Sequence, residues 1–160
     1  MDSDRLVELA EFCSHLFADS LTDLDVGTGP ILAAVLGDPD PFADPTGEIQ
    51  LAYCGPVSYD TLQRDIVPSP GTVALVLHAS GWAAPLPDSC DQHLPPHQMP
   101  SRHPERCRVQ ITMLIAAGFE SVTVLRHAGS PETQVLTGDA VGRVPDALQC
   151  CWLRGMLHAA

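Results

Sequence analysis

Cysteine and histidine residues with metal-ligand spacing are concentrated in the stretch CDQHLPPHQMPSRHPERC. The candidate ligands are Cys90, His93, His97, His103 and Cys107. Thiolate and imidazole are the usual ligands of zinc, and four of them complete its tetrahedral shell. A bound metal ion would stabilise the fold of a proline-rich segment that has few core residues of its own. One hypothesis is therefore a zinc-binding module, or a small hydrolase-like enzyme, built on this cluster. The alternative is a solvated loop with incidental Cys and His.

A glycine-containing turn gives a second candidate in LTDLDVGTGPILAAVL, residues 21–36. It resembles the cofactor turn of S-adenosylmethionine-dependent methyltransferases, with Asp25, Gly27 and Gly29 as the matching residues. Ile31 stands where that family has a third glycine, and no regular alternation of strands and helices follows. We therefore interpret the stretch as a tight turn into a short helix from Pro30 to Leu36, with Thr28 as its cap.

A histidine follows the most apolar segment of the chain, TVALVLHA, residues 72–79. The apolar run predicts a central strand that is buried on both faces. Ser80 and Gly81 come next, but HASGW is not the Gly-x-Ser-x-Gly elbow of a hydrolase. We expect His78 to be a hydrogen-bonded structural histidine, the alternative being a residue of an active site.

The net charge of the 160-residue chain is −12, and it contains no lysine, so all eight cationic side chains are arginines. Nucleic acids and anionic membranes would repel such a surface, because binding them needs clustered positive charge. The densest basic cluster is Arg102, Arg106 and Arg108, which we expect to be a solvated loop. We therefore expect no nucleic-acid partner and no membrane partner.

The start of the chain, MDSDRLVEL, lacks the cationic region and apolar run of a signal peptide. No apolar run has the length that a membrane-spanning helix needs. We expect a cytoplasmic protein whose cysteines are mostly reduced. We expect no cofactor, with zinc as the one alternative that the residues suggest.

The hydrophobic periodicity predicts an α+β fold in a single domain, residues 1–160. We expect a mostly antiparallel sheet of about five strands with the N-terminal and C-terminal helices packed on it. The predicted helices are 4–18, 30–36, 58–66 and 144–159, and the predicted strands are 48–54, 72–79, 107–116, 119–127 and 133–138. Prolines exclude regular structure from an acidic Asp-Pro loop, 37–48, and from a long Pro-rich loop, 85–104.

Residues 73–143 resemble a group of small uncharacterised actinobacterial proteins. The stretches that carry the resemblance are GWAAPL, PSRHPERCRVQITMLI and SVTVLR. It implies no activity and no cofactor. It directs attention to Trp82, His103, Pro104 and Arg126 as residues shared by pattern.

The leading hypothesis from the sequence is a non-catalytic, cytoplasmic protein-interaction or regulatory domain that binds a protein partner or forms a homodimer. Its acidic surface would steer basic partners toward it. Apolar residues on the two proline-containing loops, Phe42, Leu94 and Met99, are the predicted anchors. Two alternatives stay open: the zinc module or enzyme of the 90–107 cluster, and a small-molecule sensor with a pocket under the long loop.

Overall fold

A computed structural model describes residues 3–20, 30–37, 50–84, 102–116, 121–138 and 143–159. The elements are α1 (Ser3–Ser20), β1 (Ile31–Leu36), β2 (Gln50–Pro56), α2 (Tyr59–Arg64), β3 (Thr72–Ala83), β4 (Cys107–Ala116), β5 (Ser121–His127), β6 (Thr133–Thr137) and α3 (Arg143–Ala159). Within these ranges the strands form one antiparallel six-stranded sheet in the order β2-β1-β3-β4-β5-β6. The α+β prediction is confirmed, with more strands than the five expected.

The additional strand is β1, which corrects the predicted helix from Pro30 to Leu36. Residues 31–35 are all buried, and β1 pairs with β2 on one side and with β3 on the other. A short, wholly apolar run has no periodicity that distinguishes a buried strand from a buried helix. The flanking proline and glycine suggested helix ends, whereas the two neighbouring strands determine the actual conformation.

This correction also removes the two interpretations of the glycine-containing turn. A methyltransferase turn and a helix cap both require a helix after the glycines, and a strand follows instead. The residues that carried these interpretations, Asp25, Gly27, Thr28 and Gly29, lie outside the described residues. Of the two predicted loops, only Gly37 and residues 102–104 are described.

The sheet has a core on each face. Alternation along β3 sends Ala74 and Val76 toward α1, and Leu75 and Leu77 toward α2 and α3. We call these the α1 face and the α3 face. The prediction that the terminal helices pack on the sheet is confirmed, and they do so on opposite faces.

The central strand is longer than the sequence predicted. β3 ends at Ala83 rather than at residue 79, and it pairs with β4 without a bulge from Ala74↔Ala116 to Ala83↔Cys107. Its inner half is buried up to Ala79, while the positions beyond it are partly exposed or exposed. The outer halves of β3 and β4 therefore reach past the core and can present polar side chains.

The short helix α2 is held at both ends. Ser58 caps its start as predicted, since its Oγ accepts a hydrogen bond of 3.0 Å from the Thr61 amide. At its end, the Arg154 guanidinium donates to the carbonyls of Leu62, Gln63 and Ile66. These carbonyls have no partner within a helix, so Arg154 of α3 ties α2 to the α3 face.

We expect Arg154→Ala to lower the free energy of unfolding by about 2 kcal/mol, because three carbonyls lose a charged donor. Arg154→Lys should recover only part of this loss, since an ammonium group does not have the planar fork of donors. Chemical denaturation measures both effects. Arg64→Ala, which removes an exposed arginine at the end of α2, is the control. An equal effect of Arg64→Ala and Arg154→Ala would contradict this role.

Candidate functional site

Three neighbouring strands bring polar side chains together on the α1 face, at the end of the buried core and beyond it. His78 and Ser80 of β3 lie opposite Thr112 and Gln110 of β4. Gln110 in turn lies opposite Arg126 of β5. Paired residues of antiparallel strands point to the same face, so the register places these polar side chains in one contiguous group.

His78 is the most buried member of this group, with 1% of its surface exposed. Its Nδ1 forms a hydrogen bond of 2.8 Å with Thr112 Oγ1, and its ring stacks on Phe17 of α1 with 5.1 Å between centroids. Burial, and then the charge of Arg126, lower the pKa of His78 to about 4. His78 is therefore neutral at pH 7, and the hydrogen bond expected for this histidine is present.

Arg126 is half-buried beside the C-terminal part of α1. Its Nη2 donates to Nδ1 of His15 at 3.1 Å. Its Nε is buried and has no hydrogen-bond partner among the described residues. A buried charged donor without an acceptor is unfavourable, so this atom is a feature that the fold alone does not explain.

A cleft of about 430 Å³ opens next to Arg126. The polar side chains that line it are Ser80, Arg108, Gln110, Arg126, His127 and Ser130, and the turn between β5 and β6 forms one wall. In the part of the chain that the structure describes, no aspartate or glutamate lines this cleft. The described lining of this cleft thus contributes two guanidinium groups, an amide, an imidazole and two hydroxyls but no carboxylate, although the whole chain is strongly acidic.

A cationic surface continues from the cleft along the end of the sheet. The guanidinium carbon of Arg106 lies 4.8 Å from the ring centroid of Trp82, and that of Arg108 lies 5.2 Å from it. Arg102 and Arg106 are exposed and precede β4, as a solvated loop would. The expectation was wrong for Arg108, because that residue belongs to β4, is half-buried and lines the cleft.

The predicted zinc ligands are only partly described. His103 Nδ1 accepts a hydrogen bond of 3.1 Å from the Glu105 amide, whereas Cys107 Sγ lies 3.3 Å from Nδ1 of His127. Among the described residues no three His, Cys, Asp or Glu side chains form a group that could hold a metal ion. Cys90, His93 and His97 lie outside the described residues, so the zinc site stays a prediction.

The sequence did not lead us to predict the cleft, although the alternation of polar and apolar residues in its strands is visible there. In β4, Arg108, Gln110 and Thr112 alternate with apolar residues, as do His78 and Ser80 in β3. A period of two predicts that each set lies on one face. Only the register between the strands shows that the sets adjoin Arg126, a residue that the sequence singled out by resemblance alone.

Comparisons of the chain with models of protein families, with curated proteins and with solved structures give no match. The resemblance to actinobacterial proteins therefore stays a prediction. No helix within the described ranges combines the length and apolar character needed to cross a membrane.

The buried His78 should make stability depend on pH. Its pKa is about 4 in the folded protein and about 6.5 when unfolded, so as the pH falls below 6.5 the unfolded state binds a proton that the folded state does not. This differential protonation should lower the free energy of unfolding at pH 5 by about 2 kcal/mol relative to pH 7.

His78→Asn is the matched variant, because an amide can hydrogen-bond to Thr112 without titrating. Urea denaturation at pH 7, 6 and 5 should show a smaller pH-dependent loss for His78→Asn than for the natural protein. The other histidines are common to both proteins and cancel in the comparison. Identical pH profiles would contradict the burial of His78 as a neutral group.

Proposed function

We propose that the protein is a non-catalytic regulatory domain that binds a small anionic ligand in the arginine-lined cleft. The observation that carries this proposal is the buried Nε–H of Arg126, which lacks an acceptor among the described residues. The Arg126 side chain also lines a cleft with a second arginine and no acidic lining residue in the described part of the chain. An anion in the cleft would pair with the guanidinium charge of Arg126.

The lining favours a ligand that carries a carboxylate or a phosphate. A guanidinium presents a planar fork of donors that matches these groups in a bidentate manner. Ser80 and Gln110 add neutral hydrogen-bonding groups beside Arg126. The cleft volume lies within the range of small-molecule sites. The proposal therefore corresponds to the small-molecule sensor that the sequence left open, but it uses this cleft instead of a pocket under the long Pro-rich loop.

We propose binding rather than catalysis because the His78 side chain is held in a fixed position and is a poor general base. It is neutral at pH 7, it is fixed between Thr112 and Phe17, and its low pKa makes it a weak base. We also propose a cytoplasmic location, where cysteines such as Cys107 stay reduced. The surrounding negative charge of the protein should keep the affinity for an anion modest and sensitive to salt.

Binding of inorganic phosphate and of citrate tests this proposal. Both anions should raise the Tm of the natural protein at constant ionic strength, because a ligand of the folded state stabilises it. Arg126→Gln should weaken binding by about tenfold or more, since it removes a charged hydrogen bond. Titration calorimetry gives the corresponding dissociation constants.

Arg64→Gln is the matched control, because it removes the same charge from an exposed position on α2, away from the cleft lining. It should bind both anions like the natural protein. Equal weakening in Arg64→Gln and Arg126→Gln would show a general charge effect. If neither anion raised the Tm of the natural protein, the proposal of an anion site would be wrong.

A second candidate function is the protein-interaction role that the sequence favoured. Phe12 and Leu16 are 49% and 38% exposed on the outer surface of α1. They are four residues apart, so they adjoin on one side of the helix. An exposed apolar pair of this kind favours a protein contact, and we propose self-association through it. The anchors predicted from the sequence, Phe42, Leu94 and Met99, lie outside the described residues.

Sedimentation velocity should show a concentration-dependent dimer of the natural protein that is lost when Phe12 and Leu16 are both replaced by Ser. Loss of the apolar contact is the physical reason. Leu153→Ser is the control, because Leu153 is similarly exposed at 42% but lies on α3. A natural protein that stays monomeric at high concentration would exclude this candidate, with no bearing on the anion site.

A further inference from the structure

A thiol and an imidazole face each other at the edge of the sheet core. Cys107 begins β4 and His127 ends β5, and both are half-buried. The Cys107 Sγ lies 3.3 Å from the His127 Nδ1. Cys107 and His127 are 20 positions apart in the chain. They come into contact because β4 and β5 pair in the sheet.

The single proton of the thiol has two acceptors within reach. One is the backbone oxygen of Ala83, 3.6 Å from Sγ, and the other is the nearer Nδ1 of His127. An imidazole nitrogen is a stronger proton acceptor than an amide oxygen, because its lone pair is not delocalised into a carbonyl group. Donation to His127 therefore gives a nucleophile and a base in hydrogen-bond contact, which is the arrangement that activates cysteine.

The other cysteines with described side chains lack this combination. Cys13 is fully buried, and burial raises the pKa of its thiol to about 12. Cys151 is also buried, and its thiol lies 3.5 Å from the oxygen of Ile66. Cys150 is half-buried like Cys107, and its position on α3 makes it a natural reference for a cysteine of similar exposure.

We propose that Cys107 is a thiol–disulfide exchange site with His127 as its base, and that small disulfides are its substrates. His127 takes the thiol proton while Sγ attacks one sulfur of a disulfide R–S–S–R. The S–S bond of the reagent breaks as the Cys107–S–S–R bond forms. The departing thiolate takes the proton from His127 and leaves as R–SH, so atoms, protons and electrons balance.

The reaction modifies the protein reversibly beside the proposed ligand site. His127 also lines the arginine-lined cleft, and Cys107 directly precedes Arg108 of that lining. Excess R–SH attacks the mixed disulfide and restores the free thiol. The inference is independent of anion binding, because it depends on the thiol–imidazole contact and is tested on the protein without any anion.

Competitive labelling of the full chain tests the proposal. The protein is treated with limiting 2,2′-dithiodipyridine, or with oxidised glutathione, at pH 7, and is then digested after glutamate. The fragment 106–120 contains Cys107 as its only cysteine, and the fragment 133–160 contains Cys150 and the buried Cys151. Mass spectrometry should show labelling of Cys107 about tenfold or more faster than labelling of Cys150, because of these two described thiols it is Cys107 that has an imidazole in contact.

His127→Gln should lower the rate at Cys107 toward that of Cys150 and leave Cys150 unchanged. Circular dichroism and the Cys150 rate report whether the variant is folded, and His127→Asn replaces it if it is not. Equal rates at the two cysteines, or a Cys107 rate unaffected by both His127 variants, would overturn the proposal. It would also be overturned if Cys107 reacted only after chelation and elemental analysis found one zinc per chain, since the thiolate would then be a metal ligand.

Discussion

The strand pair β3–β4 is longer than the layer of core that covers it, and most other features of the molecule follow from this. The inner positions of both strands are buried on both faces, where mostly aliphatic residues form two cores. The outer positions have to remain paired where α1 no longer covers them. Polar side chains are tolerated there, and antiparallel register collects them from three strands onto one face.

The charge distribution depends on the same geometry. A chain of net charge −12 places Arg108 and Arg126 on the outer parts of adjacent strands, where the described lining of the cleft includes no carboxylate. Positive charge held next to a buried imidazole favours the neutral form of that imidazole. Burial, and to a lesser extent the charge of Arg126, lower the pKa of His78. His78 stacks on Phe17 of α1, so it links the cleft to the packing of α1 on the sheet.

The sequence predicted the parts of the fold that depend on local pattern. The periodicity of α1 and α3, the alternation in β4 and the cap at Ser58 all depend on neighbours within a few residues, and these predictions were confirmed. The assignment of residues 31–36 failed because the partners of β1 are distant in the chain. The site escaped prediction for the same reason. Clustered Cys and His residues are visible in a sequence, whereas Arg126 and Gln110 become neighbours only through strand register.

Among the described residues, the helix core of the α1 face does not extend to residues 80–83, the outer end of β3. On the α3 face, this end of β3 carries Gly81. A Cβ atom at this position would lie 2.9 Å from Cδ1 of Ile111, so the absence of a side chain lets Ile111 pack directly over the backbone of β3. This contact covers the strand on the face opposite the cleft. Ser80, beside Gly81, pairs with Gln110 in the ladder between β3 and β4. The floor of the cleft is therefore made of paired strands, and the turn between β5 and β6 forms its wall.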